Sequence, residues 1–149
     1  MKHLVKISAI SALLLFGSNG WADVSMIPLN DYLKQQKMGD PNVAFYTFTR
    51  CSAINLNMAD LSGNNPELLE RGERASDYFT KSAVEVRQLI TPNDSDAEHI
   101  KNVIATISGI ANAYVEVMNV HYPKTGIYFT DWMIEDLSTC SALYEDMIE

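Results

Sequence analysis

The chain has 149 residues, 11 basic against 19 acidic, and a formal net charge of −8. That balance disfavours nucleic acid and anionic membrane surfaces as partners, since neutralising phosphate needs a basic face, whereas a basic protein partner is compatible with it. The length suits one domain with one hydrophobic core and is too short for two.

The chain opens Met1-Lys2-His3-Leu4-Val5-Lys6, enters an apolar block from Ile7 to Phe16 and reaches the small residues Gly20 and Ala22. The block is about half of the roughly twenty residues that a membrane-crossing helix needs. Residues 1–22 therefore read as a secretory leader cut near Ala22, with a cut after Gly20 as runner-up. Loss of Lys2 and Lys6 leaves nine basic against nineteen acidic residues, a balance of −10. No later run looks long and apolar enough to span, so a periplasmic or secreted product without a stable membrane anchor is expected. Its oligomeric state is left open by the sequence.

Residues 23–40 form a short mixed segment in which Ile27, Leu29, Tyr32 and Leu33 surround Pro28, enough for a helical turn or two. A helical domain is expected over 41–149. Asp40-Pro41 starts its first main helix, as a capping carboxylate followed by a proline that needs no N–H there. Ala44, Phe48, Cys51, Ile54, Met58 and Leu61 recur at steps of three and four on its inner face. Asn42, Thr49, Asn57 and Asp60 are expected to face out. Asn65-Pro66 repeats the device for a second helix, with Leu68, Gly72, Ala75, Phe79, Ala83, Val86 and Ile90 inward. Gly72 is expected to permit close packing. Glu67 with Arg71, Glu70 with Arg74 and Asp77 with Lys81 are spaced for ion pairs on the outer face.

Ser95-Asp96-Ala97-Glu98 is a capping box that opens a third helix, expected to run to His121 before Tyr122-Pro123 stops it. Its inner stripe is expected at Ile100, Ile104, Ile107, Ala111, Tyr114 and Met118. The run from Asn102 to Val115 carries no charge, which predicts the most buried helix of the four. The last helix starts near Thr130 or Asp131 and turns Met133, Leu137, Cys140, Tyr144 and Met147 inward. The predicted class is all-α, an antiparallel four-helix bundle with a short N-terminal helical segment.

Cys51 and Cys140 are the only two cysteines, each on an inner face and each followed by Ser-Ala. In an oxidising compartment they pair, joining the first and last long helices. Closing a loop of that length stabilises the fold by at most about 4–5 kcal/mol on the chain-entropy model. The small Ser-Ala pairs are expected to let the two helices approach.

Sites with chemistry are sparse. Glu98 adjoins His99, and Glu116 lies five residues from His121, so the Glu-x-x-His pairs of a carboxylate-bridged di-iron centre are missing. No serine sits in a Gly-x-Ser-x-Gly turn, and no nucleophile, base and orienter can be assembled. His99 is expected to be exposed, and His121 to cap a helix end. Asp131, Glu135 and Asp136 read as a solvated acidic face. No metal, cofactor or catalytic residue is assigned, and the chain is expected not to be an enzyme. Asn93-Asp94-Ser95 matches a glycosylation sequon.

Gly126-Ile127-Tyr128-Phe129-Thr130-Asp131-Trp132 puts four bulky side chains in six residues beside carboxylates. Tyr128, Phe129, Asp131, Trp132 and Glu135 are the candidate partner-binding residues, against the plainer expectation that the loop staples the end of the bundle. The leading functional expectation is protein–protein binding of the inhibitor, immunity or adaptor type. The alternative is binding of an apolar small molecule among Phe48, Phe79, Tyr114 and Tyr144.

Overall fold

A computed structural model describes residues 26–148. The leader expected at 1–22, with its cut near Ala22, lies outside them. The regular structure of the described residues is all helical: α1 (Leu29–Lys34), α2 (Pro41–Asp60), α3 (Pro66–Ile90), α4 (Asp96–Thr125) and α5 (Asp131–Ile148).

The helix starts follow from the residues before them. Asp40 accepts the Asn42 N–H at 2.8 Å and Asn65 that of Leu68 at 3.2 Å, each with proline next in the chain. At α4 the capping box closes both ways. Ser95 Oγ accepts the Glu98 N–H, and the Glu98 carboxylate accepts the Ser95 N–H at 2.8 Å. The hydrogen bonds from Ser95 hold the Glu98 carboxyl below its ordinary pKa. Helix α4 does not stop before Pro123 but runs through it to Thr125. Proline forfeits one hydrogen bond there, on an exposed turn at the end of the helix. Gly126, at φ +73°, then ends the helix by donating its N–H to the Tyr122 carbonyl at 2.8 Å.

Helix α2 is the centre of the fold, with eleven of its twenty residues buried between α3, α4 and α5. That corrects the expectation that α4 is the most buried, since only six of its thirty residues are. Thr49 and Asn57, expected outside, are buried as well. A helix covered on three sides has little outward face, so its polar groups must be satisfied internally. Thr49 Oγ1 donates to the Phe45 carbonyl at 2.9 Å, and Asn57 Nδ2 to the Ala111 carbonyl at 3.2 Å. Ser52 bonds Ser76 and Thr80 of α3.

Between α2 and α3 the backbones meet at Gly72. A Cβ there would stand 2.9 Å from both Ala59 Cβ and the Asn55 carbonyl oxygen, so glycine permits the contact as expected. Of the three ion pairs expected on α3, only Glu70 with Arg74 comes within 4 Å, at 3.7 Å and well exposed. Such a pair contributes little.

Helix α4 is turned from the expected phase. His99 and Val103 point inward with Ile107, Ala111, Tyr114 and Met118, while Ile100 and Ile104 are about half exposed. A helix without charge over its middle turns leaves its phase to its neighbours, and His99 is buried rather than exposed. By length and composition alone α4 is also long and apolar enough to cross a membrane, contrary to the expectation that no later run is.

Cys51 and Cys140 form the disulfide, both fully buried with Cα atoms 5.4 Å apart. Bonds of this kind belong to oxidising compartments. Of the Ser-Ala pairs expected to let α2 and α5 approach, Ser52 turns to α3 and Ala142 is exposed.

Candidate functional site

Pro41 to Ala59 contains one charged residue, Arg50, and it is fully buried. Its Nε and Nη2 donate to Asp136 Oδ2 at 2.9 and 2.6 Å, and the Tyr114 hydroxyl donates to the same oxygen. Arg50 Nη2 also reaches the Ile27 carbonyl at 2.6 Å, and Nη1 the Tyr46 hydroxyl at 3.1 Å. The other carboxylate oxygen, Oδ1, accepts the Leu29 N–H at 2.6 Å. One buried cluster thus ties together α2, α4, α5 and the segment leading into α1.

The rings of Tyr46, Tyr114 and Trp132 surround the guanidinium at 5.8–5.9 Å, and Tyr114 stacks on Trp132 at 5.6 Å. Burial opposes the charge on Arg50, but Tyr114, Asp136 and Tyr46 outweigh it and raise its pKa. Burial likewise raises the pKa of Tyr114, with the Asp136 carboxylate adding to the effect. Arg50, Tyr114 and Asp136 are all closed to solvent, so the cluster acts as a clamp. Asp136 therefore leaves the solvated acidic face in which the sequence placed it; Asp131 and Glu135 remain exposed.

The clamp fixes the end of the molecule where α4 passes into α5. Of the five candidate partner-binding residues, Phe129 and Trp132 are half-buried against the core and staple the loop down. Tyr128 is 42% exposed and stacks on Tyr122 at 4.1 Å with an 11° interplanar angle. Ile127, next to it in the chain, and Ile134 on α5 are more than half exposed, with Asp131 and Glu135 in the first turns of α5. Glu116, Val117, Val120, His121, Lys124 and Thr130 line a shallow hollow of about 410 Å³ at the same end.

The candidate apolar pocket does not assemble. Phe48, Phe79 and Tyr144 pack into a row with ring centroids 6.1 and 6.2 Å apart, whereas Tyr114 is committed to Trp132 and Asp136. Phe48 alone borders a groove of about 380 Å³, which runs between the α1–α2 turn and α3 past Met38, Val43, Val86 and Leu89. No three His, Cys, Asp or Glu side chains among the described residues stand close enough to hold a metal ion.

Sequence reasoning missed the clamp, although two signals pointed to it. Arg50 is the lone charge in a neutral stretch of nineteen residues, and Asp136 lies four before Cys140, on the same helix face as a cysteine read as buried. Comparison with family models, with curated proteins and with solved structures returns no match to the chain.

Proposed function

We propose that this chain is an exported, non-enzymatic protein that acts by binding another protein, of the inhibitor, immunity or adaptor type. The contact face is the Tyr122–Tyr128 stack with Ile127 and Ile134, rimmed by Asp131 and Glu135, and the partner is basic. The observation that carries this is an exposed aromatic and aliphatic patch on a backing made rigid by the Arg50 clamp. Aromatic anchors presented without loss of conformational freedom are what strong contact sites use. In the same reading the leader is removed near Ala22, and the four long helices form an antiparallel bundle that holds α5 against α2. Acidic residues at the rim speed encounter with a basic partner and make it sensitive to salt.

The test is capture on the immobilised protein from native extract of the cells that make it, at low and at high salt. A specific partner weakened by salt, and lost with Tyr128→Ala together with Ile127→Asp, is expected. A partner retained by that variant, or none at low salt, overturns the proposal. The groove beside Met38 and Leu89, which are 95% and 75% exposed, favours a second reading as an apolar-ligand site. Native mass spectrometry of freshly purified protein then shows a bound mass, and clean apo spectra sink it.

A further inference from the structure

Helix α4 packs one of its faces and leaves the other open. In its most apolar 18 residues, with mean hydropathy 1.3, just 28% of positions are buried. The open face shows Ile104 and Val115 to solvent, 49% and 38% exposed, and carries no charge from Asn102 to Val115. Its central residue, Gly109, has open space where a side chain would project. A long uncharged face with aliphatic side chains and an empty middle calls for an occupant.

The order of residues on that face says which. At helical spacing, Lys101-Ala105-Gly109 forms one ridge and Ser108-Asn112-Glu116 the neighbouring one, all exposed. A two-fold axis between positions 108 and 109 brings the first ridge of one copy level with the second ridge of the other. It sets Lys101 against Glu116 of a second copy, Ala105 against Asn112 and Ser108 against Gly109. Each ion pair then occurs twice, as an isologous contact requires. Ser108 and Gly109 fall at the crossing, where backbones must approach, and the small Ala105 leaves room for the Asn112 amide opposite it. Ile104 and Val115 lie together along one flank of each copy's paired ridges. A polar side chain inside a close helix contact favours one register over its neighbours, and Asn112, the one amide on the two ridges, has that place here.

We propose that two copies of this chain associate through α4, antiparallel, about a two-fold axis at Ser108–Gly109. A bilayer is the competing occupant, but an asparagine within the face and a lysine and a glutamate at its ends suit a matching polar surface better than lipid tails. The face from Lys101 to Glu116 runs about 22 Å. A contact of that length is at the small end of specific interfaces, so the dimer is weak and depends on concentration.

The experiment is sedimentation velocity of the full-length chain as purified, across concentration, with helicity checked by circular dichroism. Reversible monomer–dimer exchange is expected. Lys101→Glu and Glu116→Lys each raise the dissociation constant about tenfold or more, because each sets like charges together twice. The double reversal restores it. Gly109→Leu, which the open space tolerates in the monomer, also dissociates the dimer. A monomer persisting at about 1 mM overturns the proposal, as does a double reversal no tighter than the singles. Binding of the monomer to phosphatidylglycerol vesicles, abolished by Ile104→Asp, assigns the face to a membrane and overturns it equally.

Discussion

Asp136→Asn keeps the side-chain shape and removes its charge, leaving Arg50 fully buried without its counter-ion. Breaking a buried pair from one side costs about 3–5 kcal/mol. For a protein of this size that corresponds to a fall in melting temperature of about 10–20 °C. Arg50→Met costs a similar amount by stranding the carboxylate. The double variant Arg50→Met/Asp136→Leu strands neither charge, although the Ile27 carbonyl and Leu29 N–H still lose their partners, at about 1–3 kcal/mol each. It is therefore expected to be more stable than the sum of the single losses by at least about 2 kcal/mol. Urea unfolding followed by far-UV circular dichroism, with the disulfide intact, measures all three. A loss under about 1 kcal/mol for Asp136→Asn, or a double variant at the sum of the singles, refutes the clamp as described. Hydrogen exchange adds a local readout, because Asp136→Ala is expected to expose the Leu29 amide while the interior of α3 stays protected.

Reduction, or Cys51→Ser with Cys140→Ser, is expected to cost up to about 4–5 kcal/mol without abolishing helicity. Two reactive thiols in native, unreduced protein would contradict the pairing. Glycine to alanine has opposite effects at two helical positions. Gly72→Ala is expected to destabilise by about 1–3 kcal/mol because the new Cβ meets backbone and Ala59. Gly109→Ala stabilises the monomer by up to about 1 kcal/mol through helix propensity; thermal melts at low protein concentration compare them. Alkali tests the buried phenol. Tyr114 has a folded pKa above the ordinary value near 10, so the unfolded chain releases that proton first. The stability it contributes is full below about pH 10 and is lost as pH rises toward the folded value, at up to about 1.4 kcal/mol per unit. Tyr114→Phe is expected to flatten that slope, and an unchanged slope would show that the phenol titrates normally.

The boundaries of the fold were legible because caps and prolines act locally. Asp40-Pro41, Asn65-Pro66 and the Ser95–Glu98 box each started a helix where the residues placed it. The end of α4 was not, because Pro123 lies inside the last turn and the left-handed Gly126 ends the helix instead. The inward face of α2 was legible only in part. Steps of three and four identify one stripe, but a helix covered on three sides also buries Thr49, Ser52 and Asn57, and hydrophobicity cannot reveal polar groups that satisfy one another. On α4 the uncharged run that suggested burial hid the true phase, since a helix without a charged side gives periodicity little to contrast. The candidate site divided in the same way. Trp132 turned in to stack on Tyr114 and Phe129 packed against the core, while Tyr128 found its stacking partner in Tyr122 on the exposed side.

The two links between α2 and α5 explain why that division is stable. Arg50 precedes Cys51, and Asp136 lies one helical turn before Cys140, so the ion pair and the disulfide bind the same two helices a turn apart. Either link alone leaves α5 free to pivot about it, whereas two in series along the helix fix its rotation as well as its distance. With rotation fixed, Trp132 and Met133 must face the core and Ile134 and Glu135 must face solvent. Loss of the clamp is therefore expected to weaken the proposed partner capture even where the disulfide survives, and loss of the disulfide to do so less while the buried ion pair still sets the phase of α5.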